Sequence, residues 1–304
     1  MARKQFPGLK TEVYEHPFDH KALVSLERTP VLPLLLKKVN EYGIDKLLRL
    51  QTLGSEFKVT QRNFPQLYEP FVEACTILDV APLPELYLFR GTGYIQSYVI
   101  GVENPLIGIN LEGMEWLSGE ELLFVFGYEV ARIKGKYLAY QQIAHVMPAL
   151  KNLISNTTLG IGGLAINGIE IALYNWIIMA KFTGDRAGLL ACQDANIATT
   201  ALMKLGGLPS EYLNEDTIND FVLQARSFDM QNLDALDKFT KAFSFMEHRL
   251  PWNVMRASEL LKWVDSGNYD NLIQGKNPTN EQVDTHENDE DWNFLTAWNP
   301  SDQS

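Results

Sequence analysis

Cysteine is scarce in this chain: Cys75 and Cys192 are the only two among 304 residues, far apart and in no CxxC pair. A disulfide framework and a thiolate zinc site are therefore excluded. Both thiols read as packing residues in a reducing interior such as the cytoplasm. Positive charge is also short, with 26 basic against 38 acidic residues and a net charge of −12. Phosphate recognition needs clustered Lys and Arg, so a nucleic-acid-binding surface is not expected. Histidine is limited to His16, His20, His145, His248 and His286. The one pair with helical spacing, His16 and His20, straddles Pro17, which argues against a helix there, so no metal site is read from them. No apolar run of signal-peptide length follows the basic start MARKQFPGLK, and secretion is not expected. No serine sits in a G-x-S-x-G elbow, and Cys192 shows no His partner. Gly160-Ile161-Gly162-Gly163 follows no strand and has no P-loop ending, so it reads as a connection or a close helix contact.

What the chain does have is apolar residues, 46% against 21% charged, enough for a large core. The stretch from Leu153 to Ala180 has bilayer length and one formal charge, Glu170. Polar residues and glycines interrupt it, so it reads as a hydrophobic core helix, with lipid contact left open.

Residues 1 to about 19 look irregular. A helical pattern runs from Lys21 to about Tyr42, broken early by Pro30 and Pro33. The segments Leu47–Leu53 and Glu56–Thr60 flank Gly54-Ser55 and predict a hairpin; a helix from Pro65 to Leu78 follows. Glu85–Phe89, Tyr94–Ile100 and Pro105–Ile109 are rich in β-branched and aromatic residues and split by Gly91, Gly93, Gly101 and Asn104, which predicts a small sheet. From Ser118 onward nearly every segment has helical spacing, giving a mainly α (α+β) chain. The segment Lys276–Ser304 holds seven acidic residues and one Lys and reads as disordered. Its Trp292, Phe294, Leu295 and Trp298 would either dock into a partner's groove or fold back on the domain.

Ser118-Gly119-Glu120-Glu121 is a capping-box pattern that starts a helix near Gly119. Leu122, Phe126, Val130 and Ile133 give it a buried stripe, and YEVAR lies within it. An HExxH peptidase places two His at i and i+4 to hold zinc, with a Glu beside the first to activate the bound water. Tyr128, Glu129 and Arg132 occupy those three places here.

The wider sequence gives that pattern meaning. Three stretches, LSGEELLFVFGYEVARIKGK, AKFTGDRAGLLACQDANIATTALMKLGG and LPWNVMRASELLKW, resemble the HtpX-like and CaaX-prenyl-protease type of zinc metallopeptidase, a gluzincin family, over roughly Phe6 to Asp270. The resemblance implies a zincin-like helical metallopeptidase domain over residues 1–274, with a small β-sheet lining the cleft, and an acidic tail over 275–304. It also implies a third ligand, a Glu four residues ahead of an Asp that orients a ligand His. This sequence keeps Asp185 but has Lys181 at the Glu position. Gln96-Ser97 stands where active members usually carry Asn-Ala, and Leu250 where they often carry His before the late Pro.

All three former ligand positions, Tyr128, Arg132 and Lys181, thus carry residues that are poor zinc ligands, and Glu129 reads as a vestigial general base. No metal or other cofactor is expected. Either Arg132 and Lys181 form an ion-pair cluster with Glu129 and Asp185 in the metal's former place, or both point to solvent over a collapsed cleft. The expected function is that of a pseudopeptidase that binds protein or peptide along an edge strand at Tyr94, Gln96 and Tyr98, with an active peptidase relative as one candidate partner. Two alternatives stay open: a zinc endopeptidase with non-standard ligands, and a structural subunit of a complex. The expected location is the cytoplasm, with peripheral membrane association left open.

Overall fold

A computed structural model describes residues 3–135, 137–155, 163–228 and 252–276, without the side chains of 148–155 and 163–167. Helix α1 (Pro17–Glu27) begins on the proline expected to prevent it. At the first helical position the missing N–H costs nothing, and His16 caps the helix, its Nδ1 accepting from the Phe18 N–H at 3.1 Å. The apolar pattern through Tyr42 is two helices, α1 and α2 (Leu32–Glu41), with Pro33 in the first turn of the second. Before them Thr11–Val13 make one 3₁₀ turn, so the start is less irregular than expected.

The expected hairpin is replaced by helix α3 (Ile44–Ser55). Leu, Lys, Arg and Gln in this stretch are strong helix formers, and Gly54-Ser55 ends the helix instead of turning a hairpin. Only β1 (Phe57–Lys58) remains as strand. Helix α4 (Pro65–Ile77) follows, then β2 (Glu85–Phe89), β3 (Ser97–Ile100) and β4 (Leu106–Asn110). The sheet order is β1-β2-β4-β3, with β2 and β4 parallel and both outer pairs antiparallel. β3 is therefore an edge strand.

The rest of the described chain is helical: α5 (Leu111–Trp116), α6 (Gly119–Lys134), α7 (Leu138–Ser155), α8 (Gly163–Cys192), α9 (Ala195–Leu205), α10 (Glu215–Ser227), α11 (Asn253–Asp265) and α12 (Asn268–Ile273). The α6 capping box forms: Ser118 Oγ accepts from Glu121 N–H at 3.2 Å, and Glu121 Oε2 from Ser118 N–H at 2.8 Å. Two apolar cores result. One joins the sheet, α4 and α6 to the C-terminal part of α8, with Phe71, Phe124, Phe126 and Leu190. The other joins α1, α2 and α7 to the earlier part of α8, with Leu26, Leu35, Met147 and Trp176.

Within the Leu153–Ala180 stretch, Ile169, Leu173 and Trp176 are enclosed by this second core. No helix among the described residues is long and apolar enough to cross a membrane. The tail positions Trp292, Phe294, Leu295 and Trp298 lie outside the described residues, as do His248, Leu250, His286 and Gly160–Gly162. Cys75 and Cys192 are buried free thiols, both pushed up to about 12 by burial.

Candidate functional site

The site forms where α6, α8 and β3 meet. α6 and α8 touch backbone to backbone because both carry glycine at the crossing. A Cβ on Gly127 would lie 2.6 Å from Ala191 Cβ and 2.9 Å from the Ala187 carbonyl oxygen; one on Gly188 would lie 2.7 Å from the Phe124 carbonyl oxygen. Real side chains cannot approach so closely. Gly184, one turn earlier on α8, leaves room for the Tyr128 ring. This approach sets Tyr128, Glu129 and Arg132 on the wall of the same cleft as Lys181.

The cleft has a volume of about 420 Å³ and is bounded on its strand side by Gln96, Ser97 and Tyr98. Glu129 is only 1% exposed, and both of its carboxylate oxygens are engaged. Ser97 Oγ donates to Oε1 at 2.6 Å, and Arg132 Nη1 donates to Oε2 at 2.9 Å. Asp185, equally buried, accepts a bidentate pair from Arg256 on α11, with Nη2 at 2.6 Å and Nε at 2.9 Å. Such a fork is the strongest geometry available to a carboxylate and a guanidinium. The two guanidinium groups also face the Tyr128 ring, Arg256 at 5.2 Å and Arg132 at 5.9 Å from its centroid. Burial pushes the Tyr128 phenol up to about 12, so it stays neutral.

Lys181 completes the cluster. Burial, reinforced by the neighbouring Arg256 and Arg132 charges and opposed by Asp185, lowers its ammonium to about 7. Lys181 was expected to join an ion-pair cluster or point to solvent; it lies buried on the cleft wall, where burial favours its neutral amine far more than in water.

The strand-side residues fall differently from expectation. Regular pairing in β3 starts only at Ser97, so Tyr94 and Gln96 precede the strand. The reason is Asn110, whose amide replaces ladder bonds: Oδ1 accepts from Gln96 N–H at 2.9 Å and Nδ2 donates to Tyr94 O at 2.7 Å. Tyr94, Gln96 and Tyr98 nevertheless all line the cleft. Tyr98 OH donates to Glu56 at 2.5 Å and lies 3.0 Å from Thr52 Oγ1, which ties the strand to α3.

Arg256 is the residue that sequence reasoning missed. The segment LPWNVMRASELLKW marks its helix, and an Arg on the inward side of that helix was the available signal. A second buried network lies behind the cleft. Asp19 on α1 accepts from Trp176 Nε1 at 2.9 Å and Thr183 Oγ1 at 2.5 Å, and His16 Nε2 lies 3.1 Å from Glu259 Oε2.

Known proteins similar to the chain carry protease and peptidase names. The chain is 29% identical over 286 residues to the plastoglobule-localized metallopeptidase 48, chloroplastic, of Arabidopsis thaliana, spanning 90% of this chain and 78% of that protein. It is 25% identical over 223 residues to protease HtpX homolog 2 of Methanosarcina acetivorans, spanning 64% and 74%. It is also 25% identical over 195 residues to protease HtpX homolog 2 of Methanosarcina mazei, spanning 57% and 65%. These homologues are named as metallopeptidases, two of them of the HtpX type. No family model and no solved structure matches it.

A metallopeptidase of this type uses zinc, and the donor set here does not fit that ion. Zinc sites are built from imidazole, thiolate and carboxylate. Among the described residues, no group of three or more His, Cys, Asp or Glu side chains is placed to hold a metal. The positions at which the resemblance implies ligands, Tyr128, Arg132 and Lys181, carry a neutral phenol, a guanidinium and an amine, with a second guanidinium, Arg256, beside them. A dication would sit against like charges.

Proposed function

We propose that this HtpX-type homologue is a pseudopeptidase: it holds extended polypeptide in its cleft and does not cleave it. The observation that carries the reading is the state of Glu129. A general base must be open to a water in the cleft, and here Glu129 is 1% exposed, with one carboxylate oxygen bonded to the Ser97 hydroxyl and the other to the Arg132 guanidinium. Arg132 and Arg256 replace the metal's charge, neutralising Glu129 and Asp185, which would otherwise be costly buried charges.

Binding does not depend on that chemistry. The outer edge of β3 pairs with no strand among the described residues, and its Tyr98 faces the cleft together with Tyr94 and Gln96. An extended chain adds to such an edge through backbone hydrogen bonds, with side-chain pockets giving selectivity. The partner in this reading is a protein or peptide, with an active relative as one candidate, and the two reduced thiols fit a cytoplasmic setting.

The test combines metal content with binding in the natively purified full-length chain. Zinc well below one per chain after dialysis, no peptide hydrolysis and saturable binding of an unfolded reporter polypeptide are expected. Zinc near one per chain with hydrolysis lost in Glu129→Gln would overturn the proposal. No metal and no polypeptide binding would also overturn it and favour a structural subunit.

A further inference from the structure

The exposed side of α3 is apolar, and the segment around it is net positive in a chain that is otherwise acidic. Leu47, Leu50 and Leu53 recur every three residues and are 57%, 66% and 49% exposed. Phe57, just beyond the helix, is 70% exposed, and Tyr42, just before it, is 46% exposed. Singly exposed apolar residues are ordinary, but five large ones within sixteen residues are a concentration of the kind that marks an interaction site. Thr52 faces inward and bonds Tyr98, so the helix is anchored through its other side.

Charge separates the possible occupants. Residues 37–62 hold six basic and three acidic side chains, a net of +3 within a chain of −12. Lys37 and Lys38 pair with Glu41, while Arg49 and Lys58 share Glu85. Lys46, within α3, and Arg62 form no ion pair among the described residues. A second copy docking through the same face would set two positive surfaces together, which disfavours self-association. A surface that is apolar inside and anionic outside matches both properties. Helices with large apolar side chains flanked by Lys and Arg lie in the headgroup boundary of such a layer, and each nearby basic residue adds attraction to anionic lipid.

We propose that α3 and the adjoining Phe57 dock the protein on the surface of an anionic lipid layer, without spanning it. The proposal stands apart from the cleft's function, and no residue of α3 lines the cleft. Gln51 and Thr52 of α3 line a second groove of about 320 Å³ with Tyr98 and Arg132.

The experiment is co-sedimentation of the full-length chain with vesicles of phosphatidylcholine alone or with about 30% phosphatidylserine, at low and high salt. Binding to the anionic vesicles that weakens with salt is expected. A combined Leu47→Ser, Leu50→Ser and Leu53→Ser variant should lower it at least tenfold, and Lys46→Glu should lower it severalfold. These side chains are exposed, so an unchanged circular dichroism spectrum and unfolding midpoint show that the variants fold. No vesicle binding, or equal binding by the leucine variant, would overturn the proposal. So would a dimer in light scattering that the leucine variant dissociates, which would assign the face to a second copy. Binding seen only after Trp292→Ala and Trp298→Ala in the full chain would assign it to the acidic tail.

Discussion

Replacing Arg256 by Met tests whether the cleft is neutralised by its own side chains. The Asp185 carboxylate is 1% exposed and the Arg256 side chain 7%, and the two share a bidentate contact at 2.6 and 2.9 Å. Removing the guanidinium leaves a buried carboxylate uncompensated, a change that typically costs about 3–5 kcal/mol. Loss of stacking on Tyr128 adds roughly 0.5–2 kcal/mol. Lys181 opposes part of this: Arg256 helps hold its ammonium low, so Lys181 becomes more fully charged and partly neutralises Asp185. The net expectation is about 3 kcal/mol, a shift of roughly 1 M in the urea midpoint for a slope of about 3 kcal/mol/M. Exchanging both partners, Arg256→Met with Asp185→Leu, should recover most of the loss, since apolar replacements of a whole buried pair are often neutral. A single-variant shift below about 0.3 M would refute the reasoning. So would a double variant no more stable than the single one.

Three further outcomes follow from the same packing. Lys181 is held near 7, below its unfolded value of 10.5. Its unfavourable contribution is full below about pH 7 and fades as pH rises toward 10.5, so Lys181→Met should flatten a rise in urea midpoint between pH 7 and 9.5. Asp19 behaves oppositely: burial raises it from 3.8 to about 7 against the Thr183 and Trp176 hydrogen bonds. Its cost appears as pH rises from about 4 through 7, and Asp19→Asn should remove a fall in midpoint over that window. Gly188→Ala should destabilise by about 1–3 kcal/mol in thermal unfolding, because the added methyl meets the Phe124 backbone oxygen.

Local signals made much of this fold legible. The capping box at Ser118 and the stripe from Leu122 to Ile133 located α6, and the Gly and Asn punctuation between β-rich runs located the sheet. They also put Glu129 on the helix that faces Lys181 and Asp185. α3 was not legible as a helix, because LLRLQTLGS offers an apolar run ending in a turn-like Gly-Ser pair. Its inner side is set by Thr52 meeting Tyr98 on a strand distant in sequence. Pro17 misled for a related reason: proline breaks a helix interior but suits the first turn, and only the His16 cap distinguishes the two. Arg256 stayed hidden because its partner is 71 positions away; an Arg in a helical segment shows its composition but not its neighbour.

α8 gives the molecule its cooperativity. Thirty helical residues extend about 45 Å, and this one rod supplies side chains to both apolar cores. Neither core can melt without loosening the helix that closes the other, so heating should produce one transition instead of two. Lys181 and Asp185 sit in the part of the rod between the Trp176 core and the Leu190 core. A ligand that pulls on them therefore strains both halves at once, and its binding energy is felt throughout the molecule as added resistance to unfolding.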